Sequence, residues 1–104
     1  MKRGEVWWVE MPPPAGRRPA VLLSRDSAYR VRAAVTVAPL TRTIRNIPVE
    51  VLVDQSDGMP TRCVVNLDDI TTLPKSVIKQ RITALSPERI QQIDEAIRFA
   101  LDLS

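Results

Sequence analysis

Histidine is absent from this 104-residue chain. That removes every mechanism built on a histidine pair and every zinc site built on imidazole. Cys63 is the only cysteine. An intrachain disulfide is therefore impossible, a structural metal is not expected, and the reducing cytoplasm is the natural compartment. The three glycines, Gly4, Gly16 and Gly58, are scattered, so no glycine-rich nucleotide loop can form. No apolar run approaches the roughly 18 to 20 residues of a membrane span. The N-terminus passes straight into an alternating pattern, so no signal peptide is expected. Aromatics number four, so aliphatic and β-branched residues must fill the core.

Charge is present but unevenly placed. The formal total is only +3. Residues 1–45 hold nine basic against three acidic side chains, a net +6, and residues 46–104 hold six against nine, a net −3. Arginine outnumbers lysine twelve to three. Arginine's planar fork pairs bidentately with phosphate, so an arginine-rich half suits an anionic partner. Enrichment by genome composition would raise the arginine total too, but not the asymmetry.

The organising stretch is Ala15-Gly16-Arg17-Arg18-Pro19-Ala20-Val21-Leu22-Leu23-Ser24. Two arginines leave the Pro12-Pro13-Pro14 loop and enter a short apolar run of strand length. An arginine at the mouth of a strand is held in place well enough to grip a phosphate. A solvated Arg-Arg step before a core strand fits these residues as well.

In chain order, Gly4 to Glu10 reads as a strand with Trp7 and Trp8 on opposite faces. Further strands are expected at Arg17–Ser24, Val31–Leu40, Ile47–Val53, Arg62–Asn66, Ile70–Leu73 and Lys79–Leu85. Polar turns are expected at Arg25–Arg30 and Asp54–Pro60, and one helical turn at Pro74–Val77. Ser86 and Pro87 then open a helix, with Ile90, Ile93, Ala96, Ile97, Ala100 and Leu101 as its apolar stripe. Arg89 stands where a capping box would have Glu or Gln. The fold class is mainly β with a C-terminal helix, a small barrel or sandwich in one domain spanning 1–104.

If the second and third strands are antiparallel neighbours, Arg18 at the start of one approaches Thr41 at the end of the other. A guanidinium beside a hydroxyl suits a phosphodiester and the charge that develops when a ribose hydroxyl attacks it. Pure binding would use the same pair. No general base is positioned by the sequence; Asp26, Asp68 and Asp69 are the available carboxylates.

Four segments in order carry a resemblance: Arg3-Gly4-Glu5-Val6-Trp7; Gly16-Arg17-Arg18-Pro19-Ala20-Val21-Leu22-Leu23-Ser24; Val35-Thr36-Val37-Ala38-Pro39-Leu40-Thr41; and Val64-Val65-Asn66-Leu67-Asp68-Asp69-Ile70-Thr71-Thr72-Leu73. Together they resemble the MazF/PemK family of toxin endoribonucleases over nearly the whole chain. The resemblance implies an SH3-like barrel acting as a homodimer. It implies cleavage of single-stranded RNA to 2′,3′-cyclic phosphate and 5′-hydroxyl ends, with no metal or other cofactor. It puts the catalytic arginine at Arg18 and the catalytic threonine at Thr41. It suggests Arg3, Arg17, Ser24 and the Arg42–Arg45 segment, Arg42 and Arg45 above all, as groove-lining residues, and an antitoxin whose tail occupies that groove. Asp69 stands where many members have glutamine, which implies altered base recognition. The first loop is shorter than in many members and lacks their acid, so the base is unassigned. Two other readings belong to different classes: a gyrase-poison-like toxin of the same fold, and a barrel that binds RNA without cutting.

Overall fold

The computed structural model describes all residues, Met1–Ser104. Seven strands and two helices follow in order: β1 (Glu5–Glu10), β2 (Arg17–Leu22), α1 (Ala28–Val31), β3 (Ala34–Thr41), β4 (Glu50–Val53), β5 (Cys63–Asn66), β6 (Thr71–Pro74), β7 (Ile78–Ala84) and α2 (Pro87–Ala100). All pairings are antiparallel, in the order β4-β5-β3-β2-β1-β7, with β6 also on β3.

The central strands β2, β3 and β5 carry apolar runs because both faces of the sheet are covered there. Val6, Val21, Ala38 and Leu40 point to one core, closed by Ile93 and Ala96 of α2. Ala20, Leu22, Val35 and Val37 point to a second, closed by Tyr29 of α1, Leu73 and Ile78. Neighbours in β2 thus enter different cores, as the two-residue period of a strand requires.

Several boundaries differ from expectation for local reasons. The turn expected at Arg25–Arg30 contains the helical turn α1, which buries Ala28 and Tyr29. The Tyr29 hydroxyl donates to the Ser24 carbonyl at 2.9 Å. Burial and nearby Asp26 push its phenol up to about 12, so it keeps the donated proton. Val31 belongs to that turn and is exposed, so β3 starts at Ala34. β4 starts at Glu50, because Asn46 takes a left-handed φ of 59° and the Glu50 amide closes a turn on the Ile47 carbonyl. The turn at Pro74–Val77 is a 3₁₀ turn, Lys75–Val77.

Ser86 caps α2 through a bond accepted from the Arg89 amide. The stripe packs as expected through Ile93 and Ala96, with Ile90, Ile97 and Ala100 half-buried. Leu101 is exposed instead, since the helix ends at Ala100 and Asp102 turns back at a φ of 56°. Complete burial of Ile93 contributes roughly 2 to 3 kcal/mol.

Two carboxylates tie down loops. Glu50 accepts from the Arg45 amide, the Arg45 Nε and the Asn46 amide, each at 2.9 Å. Burial pushes its carboxyl up, but these three donors outweigh it and hold the group below its ordinary 4.5. Asp54 accepts from the Ser56 hydroxyl and amide, which hold it below its ordinary 3.8. Both groups bind protons more weakly folded than unfolded. Their stabilisation is present above the unfolded values and is lost as pH falls through the lower folded ones. Chemical denaturation from about pH 6 to about pH 3 should therefore show falling stability, with a shallower fall in Glu50→Gln. An equal slope in that variant would remove Glu50 from the account.

Candidate functional site

The site is made by two strands that part company. β2 and β3 pair over Ala20↔Pro39, Val21↔Ala38 and Leu22↔Val37, and stop there. Pro19 and Pro39 lack amide protons, so the ladder cannot continue in the ordinary way. Beyond that point β2 stays with β1, through Val9↔Arg18 and Glu10↔Arg17. β3 crosses to β5, through Leu40↔Val65 and Thr41↔Val64. A wedge opens between them. Extending the lost register places Arg18 opposite Thr41, on one face of the sheet.

The wedge is a cleft of about 610 Å³. Trp8, Arg17, Arg18 and Pro19 form one wall; Leu40, Thr41, Arg42, Thr43 and Cys63 form the other; Met59, Pro60 and Thr61 close the end. Three arginines line it and no carboxylate does. With no acid to neutralise them, these cations favour an anion strongly.

Arg17, Arg18 and Thr41 are each held by one group and free at another. The Arg18 Nε donates to the Ala15 carbonyl at 2.9 Å, leaving the two terminal nitrogens of the fork without a protein partner. The Thr41 hydroxyl oxygen accepts from the Thr43 amide at 3.2 Å, so its proton is available to a ligand. Arg17 lies over the Trp8 ring, 4.7 Å from its centre, and donates to the Gln80 side-chain oxygen at 3.2 Å. Burial, helped by Asp57, pushes the Cys63 thiol up, so this wall offers no thiolate near neutral pH.

Of the eight residues singled out from sequence, the cleft brings together Arg17, Arg18, Thr41 and Arg42. The other four lie elsewhere. Arg3 pins the N-terminal segment: its Nε donates to the Leu23 carbonyl at 3.0 Å and its terminal nitrogen pairs with Asp94 of α2 at 2.7 Å. The Ser24 hydroxyl accepts from the Thr36 amide at 2.9 Å. Arg45 is paired with Glu50. Asp69 accepts from the side-chain Nδ2 of buried Asn66 at 3.0 Å, and Asn66 in turn caps the turn Leu67–Asp69.

Sequence reasoning missed Trp8 and Thr61 as cleft residues. For Trp8 a signal existed. Alternation separated it from Trp7, whose indole N–H donates to Glu5 at 3.0 Å and whose ring packs on the second core. Nothing local said which tryptophan faced the cleft.

The family model described as "PemK-like, MazF-like toxin of type II toxin-antitoxin system" matches residues 2–101. The chain belongs to the MazF/PemK toxin family. It is 45% identical over 104 residues to "Probable endoribonuclease MazF5" of Mycobacterium tuberculosis, covering 98% of this chain and 94% of that protein. It is 40% identical over 99 residues to "Probable endoribonuclease MazF2" of the same species, covering 94% and 95%. Among solved structures it superposes on an endoribonuclease in complex with its cognate antitoxin from a mycobacterial species. The TM-score there is 0.89 at 31% identity, over 100% of this chain and 97% of that one. The likeness to MazF toxins includes the barrel and the terminal helix, which establishes the SH3-like toxin fold expected from the sequence.

Proposed function

We propose that this MazF-family chain is the toxin of a toxin–antitoxin pair and an endoribonuclease that cleaves single-stranded RNA at the β2–β3 wedge. The observation that carries this is the lining of the cleft: three arginines and a free threonine hydroxyl with no opposing carboxylate. Curated relatives at 45% and 40% identity bear the name endoribonuclease over nearly their full length.

In this reading the scissile phosphate sits between Arg18 and Thr41. The two terminal nitrogens of Arg18 donate to one non-bridging oxygen edge, and the Thr41 hydroxyl donates to the other. The ribose 2′-oxygen attacks phosphorus, and the bond from phosphorus to the 5′-oxygen breaks. The proton lost from the 2′-hydroxyl leaves with the 5′-oxygen, carried through solvent. The products are a 2′,3′-cyclic phosphate and a 5′-hydroxyl. Charge gathers on the phosphoryl oxygens during attack, and fixed donors aimed there are stronger at that moment than in the ground state. Arg42 adds attraction for the flanking chain.

The partner is a cognate antitoxin that blocks the cationic cleft, and the active toxin is a homodimer. No helix is long and apolar enough to cross a membrane; the proposed compartment is the cytoplasm, where the RNA is.

The deciding experiment incubates antitoxin-free protein with end-labelled single-stranded RNA of mixed sequence in excess EDTA. Discrete cuts ending in cyclic phosphate are expected. Folded protein that binds several such RNAs and leaves them whole would replace the enzyme by a binder. Protein that neither binds nor cuts would point to a protein target.

A further inference from the structure

Adjacent residues of an extended strand send their side chains to opposite faces. Arg17 and Arg18 therefore cannot clamp one phosphate together, although both line the cleft. Their surroundings also differ. Arg18 uses only its Nε on the protein, which leaves both terminal nitrogens without a partner. Arg17 instead lies over the Trp8 indole and spends part of its edge on Gln80. The residue is exposed, so its side away from the indole is open to solvent.

We infer that Trp8 and Arg17 form a stacking platform for the RNA base beside the scissile phosphate, with Trp8 a positioning residue acting through Arg17. This rests on the endoribonuclease reading and names what its cleft does with the base. Three features favour a base over a second phosphate. A phosphate needs the N–H edge of a guanidinium, which Gln80 partly occupies, whereas a base needs the plane. The indole beneath holds that plane still, so less freedom is lost when a base covers it. The aliphatic and threonine groups opposite, Leu40 and Thr43, leave a slot with no competing acid. The layered order is then indole, guanidinium, nucleobase. Every base has a π-face, so the platform fixes position first and sequence second.

The test uses short RNAs containing one cleavage site, intact or with a single abasic nucleotide on either side of the scissile phosphate. Wild type is compared with Trp8→Ala, Trp8→Phe and Arg17→Lys. In wild type, removing the base at one of the two positions should raise KM by about 10-fold or more, with kcat changed much less. In Trp8→Ala and Arg17→Lys the same removal should have almost no effect. Trp8→Phe, which keeps a ring beneath the guanidinium, should retain most of the dependence. Lysine keeps the charge and loses the plane, so Arg17→Lys separates stacking from attraction and, at an exposed position, spares the fold. The inference is overturned if neither abasic RNA differs from the intact one in wild type. It is equally overturned if the penalty persists in Arg17→Lys. Cleavage of the intact RNA by wild type is read first. If that is missing, the endoribonuclease reading has failed, and RNA affinity of the same proteins decides the platform by the same pattern of base dependence.

Discussion

Alanine at position 18 is expected to lower kcat for RNA cleavage by a few hundredfold, with little loss of folding stability. The size follows from the role. Removing one preorganised donor to a developing oxyanion costs about 3 to 4 kcal/mol. A surface cation that merely attracts RNA contributes far less and is screened by salt. Stability should hold within about 0.5 kcal/mol, because Arg18 is exposed and its one bond is to the Ala15 carbonyl in the neighbouring loop. Thr41→Val should fall in the same direction by a smaller factor. Valine keeps the shape and removes the hydroxyl that the Thr43 amide orients. Arg18→Lys separates charge from geometry: lysine restores the cation without the fork, and kcat should recover only in small part. Steady-state kinetics and urea melts on the same preparations provide the check. A loss confined to KM, with kcat intact, would mean that Arg18 holds substrate and transition state equally.

That Arg18 and Thr41 line one cleft was legible because register is a rule of arithmetic. Once β2 and β3 are antiparallel neighbours, the start of one falls at the same end of the sheet as the end of the other. The wedge between them was not legible. It depends on β3 leaving β2 for β5, a choice made by distant Val64 and Val65. The same limit explains Arg3, Ser24, Arg45 and Asp69. Each is polar and near a suitable motif in sequence, but each finds a protein partner that no local pattern names. Arg3 reaches Asp94, 91 residues away. Arg89 shows the limit from the other side. It breaks the capping box at the start of α2 and instead sends its Nε to Asp57 at 3.1 Å, joining the helix to the turn after β4. Local chemistry sufficed where it was self-contained, as at Ser86 and Pro87.

That turn is also where the largest stability effect is expected. Gly58 ends the 3₁₀ turn Gln55–Asp57 at a φ of 90°, and a Cβ there would lie 2.4 Å from the Thr83 hydroxyl oxygen and 2.9 Å from its Cβ. Gly16 is a natural control. Its φ is 66°, and a Cβ there would meet nothing within 4 Å. Both alanine variants bear the left-handed backbone cost, about 1 to 2 kcal/mol. Gly58→Ala must also displace Thr83, whose hydroxyl donates to the Asp57 carbonyl at 2.8 Å. Asp57 holds Arg89, so a moved turn weakens the tie to α2 as well. Gly58→Ala should therefore lose about 3 kcal/mol or more, roughly 12 to 24 °C in melting temperature, against roughly 4 to 16 °C for Gly16→Ala. Adding Thr83→Ala to Gly58→Ala removes the obstruction and leaves the backbone cost. The double variant should then be more stable than additivity allows, by about 1 kcal/mol. Equal losses for Gly58→Ala and Gly16→Ala would show that Thr83 yields freely and that backbone conformation alone sets the cost.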